Sequence, residues 1–332
     1  MFASARGSVR AATCAFALVA MAGCGTESPY APPGPTATSG LVYLNGLIDI
    51  MQANSVNRLR IDWTSFRAQV TAAAGGAATI ADTYPAIGVA LGLLDDHHSF
   101  YRHADRLNGI SNPRFPGGCN VPAIPTPPVP DDIGYVRITA TGAQGDAQVV
   151  FAEAIQQQIR DRDRENLAGW IVDLRGNGGG NMWPMLAGIG PILGEGVVGY
   201  FINATSERSP WAFDGRSSVS NGFVAVTTAG VTLKRSAPRV AVLTNTAVAS
   251  SGEAMVVAFR GRPNTRSFGL PTCGVPTANR TFNLSDGGQL VLTTAVDADR
   301  TLTSYDSPIV PDEMIAAPEA MVQRAIDWLR GG

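Results

Sequence analysis

Residues 170–181 read WIVDLRGNGGGN, an apolar run that drives straight into a cluster of glycines. Trp170, Ile171 and Val172 show no polar alternation, as expected of a strand covered on both faces. Glycines at 176, 178, 179 and 180 let the following loop turn sharply and aim backbone N–H groups at a ligand atom. A phosphate site is the obvious rival, yet the loop lacks Gly-Lys-Ser/Thr and does not fit GxGxxG with an acidic ribose ligand. Working outward, IGYVRI (133–138), a helical periodicity through Phe151, Ile155 and Ile159, another over 185–193, and RVAVLTN (239–245) leading into GEAMVVAF alternate strand with helix. That alternation predicts βα units on a partly parallel sheet. NLSDGGQLVLTTAV (283–296) reads as a hairpin, and Pro318 opens an amphipathic helix with Met321, Val322, Ala325, Ile326 and Leu329 on its inner face.

The bulk properties leave room for a full core: 332 residues, 45% hydrophobic, with a formal net charge of −2. So small a charge gathers neither nucleic acid nor an anionic membrane surface. Arg6 and Arg10 precede an apolar stretch, 11–22, too short to remain in a bilayer, which reads as an export signal. Its end, Met21-Ala22-Gly23-Cys24, resembles a bacterial lipobox, with Met where Leu is commoner; Cys24 is the lipidation site it implies, and the lipid the only tie to a membrane. The expected organisation is a signal peptide over 1–24, a Pro/Ser/Thr-rich tether over 25–40, and a helical subdomain over 41–105. A Pro-rich surface loop (106–132) and a core (133–332) follow. This places the chain at the bacterial cell envelope. Of four cysteines only Cys119 and Cys273 remain in the folded part, and they either pair in an oxidising compartment or lie buried separately.

TNTAVASSGEAMVVAF (244–259) sets two serines at a bend between strand and helix, where the first helical amides favour negative charge. Ser-Ser-Gly-Glu is equally a helix cap, with Glu253 in the first turn. Together the two motifs resemble the serine peptidases that include the C-terminal processing proteases and the tricorn core. Their DLR-x-N-x-G-G is matched by Asp173, Leu174, Arg175, Asn177, Gly179 and Gly180, and a serine three positions before glutamate selects Ser250. IGYVRI and Pro308–Asp312 (PIVPD) match as well. The resemblance implies a crotonase/ClpP-like α/β superhelical core behind an N-terminal helical subdomain. Where the processing proteases carry lysine, in P-T-x-G-K, this chain reads Pro271-Thr272-Cys273-Gly274-Val275, and its one lysine is Lys234. Valine accepts no proton. A histidine base of the tricorn-like kind is therefore implied, from Asp96-His97-His98-Ser99: His98 by register, His97 as fallback. All three histidines, with His103, lie in this stretch.

The resemblance further implies acyl transfer on a peptide or protein substrate, with no metal or organic cofactor. Backbone N–H groups of Ser251 and Gly179, or Gly178, would bind the oxyanion. Asp306 is the nearest acid to orient the imidazole, with Asp312 and Glu253 as rivals. The Pro-rich segment is too short for the PDZ domain that processing proteases insert there. If Cys119 bonds Cys273, that segment becomes a stapled lid, and reduction is expected to affect activity more than stability. A hydrophobic-ligand carrier of the same fold and an esterase or amidase are the competing functions.

Overall fold

The computed structural model describes residues 40–332 except Arg106; the signal peptide, Cys24 and nearly all of the tether fall outside the described residues. The described residues form one compact unit.

Three helices come first: α1 (Gly40–Asn54), α2 (Trp63–Ala74) and α3 (Tyr84–Leu93). The Asp62 side chain caps α2 by accepting from the Thr64 and Ser65 amides, and Pro85 sits in the first turn of α3, where a missing N–H costs nothing. Their apolar stripes, including Leu44, Leu47, Ile48, Phe66, Val70 and Ile87, pack against Tyr101, Leu290 and Leu292 of a sheet formed far downstream. The helical segment therefore shares its core with the rest of the molecule.

Two sheets make up the remainder. One is a five-stranded parallel sheet in the order Glu313–Met314, Thr265–Gly269, Val240–Thr244, Gly169–Asp173, Ile133–Arg137. Alternate residues of its central strands serve opposite faces. Trp170, Val172, Val240 and Val242 meet α4 (Asp146–Arg162), α5 (Met182–Leu193) and α6 (Ser251–Phe259), whereas Ile171, Ala241 and Leu243 meet α7 (Pro318–Leu329). Cover on both faces is why these strands are continuously apolar. The second sheet has nine strands and is antiparallel in every pairing. Its hub, Gln289–Asp299, pairs with Phe100–Arg102, Gly196–Asn203, Thr277–Asn283 and Ser304–Tyr305.

Beyond Gly109–Ile110 the Pro-rich segment has no regular element. It is held by a disulfide between Cys119 and Cys273, whose Cα atoms are 5.2 Å apart, and by Arg137 donating to the Ile124 carbonyl. Among the described residues no helix is long and apolar enough to cross a membrane.

Candidate active site

Asp173 ends the central strand Gly169–Asp173 fully buried, and its carboxylate is matched donor by donor. Arg175 donates to it through Nε (2.9 Å) and Nη2 (2.8 Å), and the Tyr135 hydroxyl donates at 2.8 Å. These bonds turn the chain into the glycine loop. The loop then docks on the serine turn: the Ala249 N–H donates to the Asn177 carbonyl (3.0 Å), and the Ser251 hydroxyl to the Gly180 carbonyl (2.7 Å). A Cβ on Gly252 would stand 2.2 Å from the Asn177 oxygen, and one on Gly179, at φ +97°, 2.9 Å from the Ser250 Cβ. Only glycine permits this approach.

Ser250 precedes α6 at φ 54°, ψ −121°, a strained conformation for a residue with a Cβ. Neighbours hold it there. The buried Glu253 carboxylate accepts from the N–H groups of Ser250, Gly274 and Val275, each at 2.9 Å, and from the Thr272 hydroxyl. One side chain thus ties the serine turn to the Pro271–Val275 segment. Burial still raises the Glu253 pKa against the pull of those donors.

His98 arrives from the opposite side. Asp96 accepts from the His98 and Ser99 amides, at 3.0 and 2.9 Å, and from the Ser99 hydroxyl, forming a tight turn with Asp95 and His97 at positive φ. His98 Nδ1 is 2.7 Å from the Thr277 hydroxyl, and its carbonyl accepts from Asn279 Nδ2 at 3.3 Å. Burial lowers its pKa from 6.5 to about 4, so the ring is neutral at pH 7. His98 and Ser250 line one cleft of about 920 Å³, together with Val275, Gly180 and Trp183. Among the described residues no direct hydrogen bond joins the Ser250 hydroxyl to His98, an arrangement common before substrate closes a site. His97 lies outside the lining, 3.8 Å from Asp95, and His103 packs edge-on against Tyr84 and Tyr101.

Several of the expected groups are engaged elsewhere. The Gly178 N–H donates to the Gly176 carbonyl (3.1 Å) and the Gly179 N–H to Asn177 Oδ1 (3.0 Å), so neither is free for an oxyanion. The unengaged amides beside Ser250, among the described residues, are those of Gly180 and Ser251. Gly180 belongs to the glycine motif, but spacing does not say which glycine amide turns inward. Asp306 is exposed and outside the cleft, Asp312 is bound by Ser267 and Arg260, and Glu253 is filled by its four donors. The group on the imidazole is Thr277, which carried no sequence signal beyond standing two residues past Val275.

The sequence profile of Peptidase family S41 matches residues 132–315. The chain is 27% identical over 277 residues to the nisin-resistance protein of Lactococcus lactis, covering 81% of this chain and 80% of that one. It is 23% identical over 220 residues to a carboxyl-terminal-processing protease of Synechocystis, covering 60% of this chain but only 44% of the longer relative. In fold it is similar to a lipoprotein from Streptococcus agalactiae (TM-score 0.67, 21% identity, 91% of this chain and 99% of that one). It is also similar to the photosystem II D1 C-terminal processing protease (TM-score 0.57, 15% identity, 88% and 97%). The chain belongs to Peptidase family S41 and is a serine peptidase. Its mixed α/β fold is that of the family.

Proposed function

We propose that Ser250 is the nucleophile and His98 its base, in a serine peptidase of the bacterial envelope that acts on peptide or protein substrates. The supporting observation is that one cleft is lined by both side chains while valine occupies the lysine position beside them. In the tautomer whose Nδ1–H donates to the Thr277 hydroxyl, Nε2 carries the lone pair, and this is the form the reaction uses. Nε2 removes the Ser250 proton, the hydroxyl oxygen attacks the scissile carbonyl, and the Gly180 and Ser251 amides receive the oxyanion. The imidazolium then protonates the leaving amine, and water, activated by the same nitrogen, hydrolyses the acyl-enzyme. Thr277 orients the ring in place of a carboxylate. The envelope location is supported by the export-signal pattern ending at Cys24 and by likeness to a streptococcal lipoprotein and a nisin-resistance protein.

A fluorophosphonate probe tests the roles: wild type is expected to label, and Ser250→Ala and His98→Ala to lose labelling while remaining folded by circular dichroism. Labelling that persists in Ser250→Ala would remove the assignment. A quenched-peptide panel run beside an ester panel then separates peptidase from esterase activity.

A further inference from the structure

A smaller cavity of about 240 Å³ also has Ser250 in its lining, and shares Gly180, Asn181, Trp183 and Asn279 with the cleft. Trp183, Phe201 and Ala254 give it apolar walls, and Asp297 lies among its lining residues. Asp297 belongs to the hub strand Gln289–Asp299, directly opposite Phe201 on one side and Tyr305 on the other. It is 1% exposed, and neither carboxylate oxygen has a hydrogen-bond partner.

That makes it unlike every other buried acid among the described residues. Asp173 is held by Arg175 and Tyr135, and Glu253 by four donors. Asp163 accepts from the Lys234 amide, and Asp299 from Thr301 and Tyr305. A buried carboxyl without a partner is costly to keep, so one that borders a cavity at a nucleophile needs a ligand-based explanation. Among the described residues no basic side chain pairs with it; burial pushes its pKa well above the usual carboxylate range, and the neighbouring Glu253 charge pushes the same way.

We infer that this cavity receives the substrate side chain on the acyl side of the scissile bond, and that Asp297 selects a cationic one, lysine or arginine. The inference rests on Ser250 being the nucleophile. The apolar walls suit the methylene stem of such a side chain, with the charged head reaching the acid. The arriving cation supplies the missing hydrogen bonds as Asp297 releases its proton to solvent, and its charge offsets both the burial of Asp297 and the field of Glu253. Trp183 and Phe201, edge to face at 6.4 Å between ring centres, add quadrupole attraction for the same cation.

The test uses two quenched peptides identical except for lysine or norleucine, its uncharged near-isostere, at the residue whose carbonyl is attacked. Wild type is expected to cleave the lysine peptide with at least about tenfold higher kcat/KM at neutral pH, because only the cation satisfies the buried acid. In Asp297→Asn that ratio should fall toward one. Equal rates or a norleucine preference in wild type, or an unchanged ratio in a folded Asp297→Asn, would overturn the inference. Fluorophosphonate labelling runs alongside to separate the two levels. A labelled wild type without the lysine preference removes this inference alone, whereas an unlabelled wild type removes the nucleophile assignment and this inference with it.

Discussion

A base must be neutral before it can accept a proton, and for the role proposed for His98 burial secures that neutrality far below the ordinary imidazole range. Its pKa of about 4 predicts that kcat/KM holds steady down the acid side and falls only near pH 4, instead of near 6.5. A pH–rate profile checks this, and an acid limb close to 6.5 contradicts it. The same depression links to stability. Because the folded pKa lies below the unfolded value of 6.5, the unfolded chain binds the extra proton between the two. The stabilisation is therefore complete above 6.5 and lost as pH falls toward 4, with a full size of about 3 kcal/mol. Denaturant melts of wild type and His98→Gln across that window should diverge in slope.

At the level of elements, the head of α6 depends on Glu253. Glu253→Gln turns an acceptor facing N–H groups into a donor facing them, leaving at least one buried amide unpaired. About 2 to 3 kcal/mol of stability should be lost, with labelling of Ser250 slowed because its backbone is no longer held. Urea titration and probe-labelling rates measure the two effects. The strands and helices around this point were legible because burial on both faces imposes continuous apolar runs, and because loop glycines and the serine-glutamate spacing lie close together in sequence. The sheet Gly196–Asn203 through Phe223–Thr227 was not read. Large apolar residues stand exposed at its ends, Val197 at 41% and Phe223 at 76%, so no clean alternation marks its strands. Thr277 escaped for another reason: it meets His98 across 179 positions, and no local pattern encodes such a pairing. The late PIVPD motif offers Asp312 as an orienting acid, but its backbone and its aspartate serve as fasteners. The Ile309 N–H donates to Thr272, and Asp312 accepts from the Ser267 amide and hydroxyl.

Across the whole molecule, the disulfide between Cys119 and Cys273 closes a separation of 154 residues. On the chain-entropy model a loop of that size contributes up to about 5 kcal/mol, so opening it should lower stability strongly as well as activity, against the expectation that activity would register it more than stability. Cys119→Ala/Cys273→Ala should therefore melt well below wild type, and cleave more slowly because Phe115 and Asn112, in the stapled segment, line the cleft. A variant with unaltered melting would favour the earlier expectation.

The grip on His98 comes from Thr277 and Asn279, both later in the chain than the serine they serve. A polypeptide emerging from its N-terminus thus carries both reactive groups well before it can align them. On the proposed roles, the pair can be aligned only after residues 277 to 279 have been made, late in synthesis.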